Sequence, residues 1–324
     1  MKRKAARPRA LFVTSLRVAW LTIKGIFLAY AVVFSVACTV ALAWGAVVVS
    51  KPILAVNKLK DVNPRTTLYM DMQRRQLRGD SLHDTLMHVF TPLDSIADHV
   101  IEAVLAAEDD GFYLHPGVDL QAIARAIEYN KRKNRHAHGA STITQQVAKN
   151  LFAGGERSFE RKYAELLYSF LMEFLLGKDR ILELYLNYAQ WGTNIFGIEA
   201  AARHYFNRSA HDVTLDQATR LAAVLAMPER ISPHYVESSF LQKRLRVIAN
   251  NLYRRGSIGD EGFYGIAGGD SLPPGQADSA GAADAMLDSA RTDASGGGAD
   301  SARASTAPDD TVELLSEQNL LLVE

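Results

Sequence analysis

The chain has 324 residues, 48% of them hydrophobic, and its 36 basic side chains are balanced by 36 acidic ones. That length suggests two domains and is enough for a core held by packing alone. The single cysteine, Cys38, excludes an internal disulfide framework and a cysteine-based metal site, and the balanced charge offers no overall basic field for nucleic acid.

The neutral total hides a marked asymmetry. Residues 1–24 carry Lys2, Arg3, Lys4, Arg7, Arg9, Arg17 and Lys24 and no acid. Residues 256–324 carry thirteen acids against Arg291 and Arg303. Between them, "GIFLAYAVVFSVACTVALAWGAVVVS", residues 25–50, runs for 26 residues without a formal charge. About 20 apolar residues cross a bilayer core, so this run spans with some tilt. A cleaved signal would have a shorter apolar region ending in a small-residue site, and "VVVSKPIL" offers no convincing one. The basic flank keeps the N-terminus cytoplasmic and places the rest outside. The expected order is a basic cytoplasmic segment (1–24) and a single-pass anchor (25–50), with the remainder extracytoplasmic.

Residues 51–95 read as a connector and the start of the following folded domain, with the turn-prone "NPRTT" and the basic "MQRRQLRGD". From 96 to 255 helical periodicity dominates. Ile96, Ala97, Val100, Ile101, Val104 and Leu105 form one apolar face. The next place on that face is Glu108, followed by Asp109 and Asp110. Three carboxylates thus crowd a helix C-terminus, where the macrodipole favours cations. A carboxyl desolvated there has its pKa raised, which suits a general base near neutral pH. Read alone, the stretch fits a helix ending in three solvated acids equally well.

Further helices follow. Asp119 is placed to cap one bearing Leu120, Ile123, Ala124 and Ile127 on its buried face. In "HGASTITQQVAKNLF", Thr142 and Gln145 match a capping box, whose helix N-terminus would suit phosphate. Gln145 and Lys149 share a face, and Arg157, Arg161 and Lys162 follow, a run that also fits a solvated basic face. "SFERKYAELLYSFLMEFLL" starts at a Ser cap and is expected to bury Phe159, Tyr163, Leu166, Leu167, Phe170 and Phe174. Arg161 and Glu165 stand at i, i+4, usually a surface ion pair. The aromatics of "KDRILELYLNYAQWGTNIFGIEAAARHYF" read as core, and "LDQATRLAAVLAM" is another amphipathic helix. No run alternates with period two, so little strand is expected. Residues 256–324 form an acidic tail; within it, 267–311 are too poor in large apolar residues to offset ordering entropy.

Taken together and in order, these stretches resemble the peptidoglycan glycosyltransferases of family 51. Glu108, Asp109, Phe112, His115, Gly117 and Asp119 match its first motif, and Gly139, Ser141, Thr142, Ile143, Gln145, Gln146, Lys149 and Asn150 its second. Arg161, Lys162 and Glu165 match the third, and Lys178, Ile181, Leu182, Tyr185, Leu186 and Asn187 the fourth. A looser fifth region fits at Tyr205, Phe206 and Pro228 but has Gln217 where the family has Glu, a position read as structural.

The resemblance implies a mainly α fold: a lysozyme-like helical glycosyltransferase domain with a small membrane-associated jaw lobe, preceded by one transmembrane helix. It implies polymerisation of lipid II into β-1,4 glycan strands at the inner membrane, with inversion and release of undecaprenyl pyrophosphate. Glu108 would be the base, with Glu165 the second catalytic carboxylate. Lys149, Arg157, Arg161 and Lys162 would hold the pyrophosphate, and Asp109, His115, Ser141, Thr142, Gln145, Gln146 and Asn150 would organise or bind substrate. No cofactor is required on this reading and no protein metal site is expected; a divalent cation (Mg or Mn) on the pyrophosphate, helped by Glu165, is the one candidate. The implied partners are lipid II, the growing glycan chain and the bilayer, with cell-wall elongation or division proteins as candidates and no nucleic acid. No Ser-x-x-Lys nucleophile with a Lys-Thr-Gly strand accompanies the motifs, so a transpeptidase activity is not expected. Two other classes share parts of the pattern. A lytic enzyme would use one Glu but needs no pyrophosphate cations, and an inactive assembly scaffold would be expected to lose Glu108 or those cations first.

Overall fold

The computed structural model describes residues 8–77, 86–133, 141–154, 158–268 and 273–274. Gly139, Arg157 and the acidic tail beyond 274 lie outside the described residues.

Helix α1, Pro8–Lys58, runs for 51 residues, roughly 75 Å at 1.5 Å per residue. Its part from Ser15 contains an 18-residue stretch of mean hydropathy 2.4 and is long and apolar enough to cross a membrane. Phe27, Phe34, Leu42 and Trp44 stand out from it uncovered. Residues 1–55 form one compact unit and residues 56–324 a second.

The second unit is mainly helical. In chain order it holds α2 (Leu68–Leu77), β1 (Met87–His88), α3 (Asp98–Glu108), α4 (Leu120–Lys133) and α5 (Ile143–Ala148). A π-turn at Lys149–Ala153 continues α5. Then come α6 (Phe159–Leu175), α7 (Lys178–Tyr188), β2 (Gln190–Gly192), β3 (Ile195–Phe196), α8 (Ile198–Phe206), α9 (Leu215–Val224), α10 (Ser239–Arg254) and α11 (Asp260–Ala267). The strands form one small sheet in the order β1-β3-β2, with β1 parallel and β2 antiparallel to β3 and a register shift at Gln190/Gly192. The expected scarcity of strand holds among the described residues.

The core is built around α3, which packs on α9 and α10, while α5 packs on α6 and α7. Val100, Val104 and Leu105 of α3 are buried as its apolar periodicity requires, and Trp191, Tyr185, Tyr188 and Phe196 are wholly interior, as read from sequence. Capping is local and follows the expected residues. Asp119 Oδ1 accepts from Ala122 N at 2.8 Å, and Ser158 Oγ accepts from Arg161 N at 3.0 Å. Gln217 completes a capping box with Thr214 on α9, a task that Gln and Glu perform alike. That accounts for the departure at this position.

Two faces differ from expectation. On α6 the aromatic side points outward: Phe159 is 96% exposed and Phe174 87%, with Tyr163 and Phe170 exposed as well. The side against α5 carries Glu165, Ser169 and Met172, all buried. On α4, Leu120 and Ile127 are exposed while Ala126 and Tyr129 are buried. Periodicity identifies a face but not its partner. In α6 the small and charged side is the one that fits closely against α5, which leaves the aromatic stripe uncovered.

Candidate active site

The first motif is held from both sides. Glu108 is the last residue of α3, and its side chain is mostly buried. Oε2 accepts from Gln146 Nε2 at 3.0 Å, and Oε1 pairs with Arg244 Nη2 at 3.0 Å. Arg244 sits on α10 and also donates to Ala107 O at 3.1 Å. Two more side chains from the same region meet this helix end. Asn251 Nδ2 donates to Ala106 O at 2.9 Å, and Arg255 Nε pairs with Asp110 Oδ1 at 2.7 Å while its Nη1 reaches Glu102 Oε2 at 3.1 Å. The dipole conflict visible in the sequence is thus resolved by cations and an amide from α10 and its C-terminal edge, placed where α3 needs positive charge. The three acids are not solvated alike: Glu108 and Asp109 are largely covered and Asp110 is exposed.

Asp109 and His115 organise the loop that follows. Asp109 Oδ1 lies 2.9 Å from His115 Nε2, and Oδ2 accepts from Ile143 N at 3.0 Å. The α5 N-terminus, expected to suit phosphate, is therefore occupied from within by a carboxylate. Thr142 is buried and fully used: its hydroxyl donates to Gly117 O at 2.6 Å and accepts from Gln145 N, and Gln145 Oε1 accepts from Thr142 N. Gly117 has φ +84°, and a Cβ there would stand 2.8 Å from Glu173 Cγ, so only glycine fits the turn. Glu173 in turn accepts from Thr144 Oγ1 at 2.6 Å and Lys178 Nζ at 2.8 Å, and Lys178 also donates to His115 O at 2.7 Å. This network ties the 109–117 loop to the start of α5 and to α6 and α7.

The second and third motifs meet in a cavity of about 390 Å³, lined by Tyr69, Ser141, Gln145, Gln146, Lys149, Gly154, Arg161, Lys162 and Glu165. Glu165 is 4% exposed, and both its oxygens are held by cations four and three residues back, Arg161 Nη1 on Oε1 and Lys162 Nζ on Oε2 at 2.9 Å. The Arg161–Glu165 pair is largely buried, not the surface pair its spacing suggests, while Lys162 joins it from a partly exposed position. Lys149 opens the π-turn, a bulge of the kind frequent at functional sites. Burial pushes its ammonium below the ordinary lysine value; Glu165 and Glu108 oppose that shift, and Arg161 and Lys162 add to it. Lys149 thus feels both carboxylates. Asn150 is buried, and Ser141 is exposed at the rim. Tyr185 lies beneath Glu108 in the fold, and burial, then that carboxylate, push its hydroxyl well above its ordinary value.

The structure therefore brings together Ser141, Gln145, Gln146, Lys149, Arg161, Lys162 and Glu165. Glu108 joins them through Gln146 rather than by lining the cavity itself. Arg244 and Tyr69 were not found from sequence. Among the described residues no three acidic, His or Cys side chains group to hold a metal. With both Glu165 oxygens already taken by cations, the side chains present do not fit a protein-held divalent ion, and no step below passes through one.

A family model described as Transglycosylase matches residues 78–253, more than half of the chain. The chain is 41% identical over 191 residues to a biosynthetic peptidoglycan transglycosylase of Paraburkholderia xenovorans (strain LB400), covering 59% of this chain and 79% of that relative. It is 44% identical over 195 residues to the protein of the same description in Ralstonia nicotianae, covering 59% and 83%. Penicillin-binding protein 1A from Haemophilus influenzae, a solved structure, aligns with 57% of this chain and 18% of its own at 18% identity and a TM-score of 0.32, a likeness on which nothing further rests. The chain belongs to the transglycosylase family.

Proposed function

We propose that this enzyme is a peptidoglycan transglycosylase that polymerises lipid II into β-1,4 glycan strands. The observation that carries the reading is the single cleft in which Lys149, Arg161, Lys162 and Glu165 meet Gln146, the residue that hydrogen-bonds Glu108. In the step proposed, the Glu108 carboxylate takes the proton of the 4-hydroxyl of incoming lipid II. That oxygen attacks the anomeric carbon of the growing chain from the face opposite the leaving group. The bond from that carbon to the pyrophosphate oxygen breaks with its electron pair, and undecaprenyl pyrophosphate departs. The α-linked phosphate becomes a β-linked glycoside, so configuration inverts.

Each side chain has a part in this chemistry. Gln146 and Arg244 fix the Glu108 carboxylate, and Asp109 with His115 fix the loop behind it. Lys149 meets the charge that grows on the pyrophosphate, as a preorganised cation in a partly dry site should. Arg161 and Lys162 add positive charge, Glu165 holds them in place, and Arg157 joins them on the resemblance alone. Helix α1 is read as a single-pass anchor in the inner membrane with a cytoplasmic N-terminus and the catalytic unit outside. The aromatic stripe Phe159, Tyr163, Phe170 and Phe174 supports a lipid-facing side of the catalytic unit, since uncovered apolar patches mark membrane or partner contacts.

Incubating the purified protein with labelled lipid II tests the proposal. Polymer with released undecaprenyl pyrophosphate is the expected product. Cleaved glycan would make the enzyme lytic, and no turnover at all would make it a scaffold.

A further inference from the structure

We propose that Tyr69, on α2 and outside all four motifs, is a positioning residue of the cleft: its ring walls the space beside Lys149 and keeps water from the ammonium. The inference rests on the reading of Lys149 as the cation that receives the pyrophosphate. Tyr69 lines the same cavity as Lys149, Arg161 and Glu165, and Lys149 Nζ lies 6.0 Å from the centre of its ring. That distance is at the outer limit for a cation–π attraction, so the ring acts mainly by excluding solvent.

The ring is pinned at its far end. Its hydroxyl donates to Gln190 Oε1 at 3.0 Å and accepts from Gln73 Nε2 at 3.4 Å. Both of those amides donate to Glu229 Oε1, at 3.1 and 3.0 Å. The ring also meets Phe196 edge to face, with centroids 6.1 Å apart. Helix α2 is seated directly on the end of the π-turn that Lys149 begins. A Cβ on Gly154 would lie 2.8 Å from Met72 Sδ and 3.0 Å from Leu68 Cγ, so a larger residue at 154 would press on the underside of α2 and force these side chains to shift. A wall held by a polar network at one end and by a glycine seat at the other is built to stay in place. An ammonium kept from bulk water binds an anion more strongly and is screened less by salt.

The test compares the parent, Tyr69→Phe, Tyr69→Ala and Gly154→Ala for lipid II polymerisation across a salt series, with thermal unfolding of each alongside. Tyr69→Ala should lose about tenfold in kcat/KM, a fraction of what removing a preorganised contact costs, and its rate should fall more steeply with salt than the parent's. Tyr69→Phe keeps the ring and should keep the parent's salt slope. Gly154→Ala should steepen the slope with Tyr69 intact, and it decides the matter if Tyr69→Ala does not fold. A folded Tyr69→Ala, or failing that a folded Gly154→Ala, with the parent's salt slope would overturn the inference while leaving the polymerase reading in place. A parent that does not polymerise lipid II would overturn both.

Discussion

Glu108 and Glu165 are both carboxylates held by cations, yet they obtain their partners in opposite ways. Glu165 sits on α6 one turn after Arg161 and Lys162, so its counter-charges come from the same helix. Glu108 ends α3, and its counter-charge, Arg244, is 136 residues further along the chain on α10. The local arrangement gives a self-contained cluster that forms as soon as α6 does. The distant one exists only when α10 has docked. A carboxylate at the wrong end of its helix is thereby tied to completion of the fold.

That contrast predicts different responses to substitution. The largest is in activity: Glu108→Gln keeps the shape and its contact with Gln146 but removes the base, and should lower lipid II polymerisation by about 10²–10⁴. Its thermal unfolding should fall, because neutralising Glu108 leaves the largely buried Arg244 guanidinium without its counter-charge. Next is Lys149→Met, which should lose about 10²–10³ in rate by removing a preorganised cation. Because burial lowers the Lys149 proton affinity in the folded state, its charge, and with it the rate, is lost at lower pH than for an exposed lysine. Stability has the opposite sign. Between the lowered folded value and the ordinary one, the unfolded chain binds more protons, so the Lys149 contribution to stability rises with pH. Lys149→Met should remove both dependences and should not lower the unfolding temperature.

Smaller effects test the local half of the comparison. Arg161→Met should cost about 1.5–3 kcal/mol, one charge-assisted hydrogen bond, because Lys162 remains on Glu165; denaturant unfolding measures it. Asp119→Ala should cost about 1 kcal/mol through the lost cap of α4 and leave polymerisation close to the parent's.

The same contrast explains which features were legible in the sequence. Asp119, Thr142 with Gln145, and Ser158 were read correctly as caps because each bonds a group three residues away. The cleft residues of the second and third motifs were legible through their resemblance to the family's motifs; alone, their basic run also fitted a solvated face. Arg244 and Tyr69 were invisible because their contacts with Glu108 and Lys149 depend on tertiary docking, and nothing in "LQKRLRV" or "TTLYMDM" announces it. The exposed side of α6 was misread for a related reason. Its aromatic spacing is that of a core helix, and only the packing of Glu165, Ser169 and Met172 against α5 shows that the other face is inside.

The central claim, that α10 supplies the charge which lets Glu108 stand at the end of α3, is tested most directly by a double-mutant cycle. Unfolding free energies of the parent, Glu108→Gln, Arg244→Met and the double variant are measured, with polymerisation rates beside them. Arg244→Met in the parent strands a largely covered carboxylate and should cost about 3–5 kcal/mol. With Gln at 108 there is no charge to strand, so the same substitution should cost less by about 1–3 kcal/mol, and the double variant should be no slower than Glu108→Gln alone. Equal costs of Arg244→Met in both backgrounds would contradict the account, because Arg244 would then serve α3 without serving Glu108.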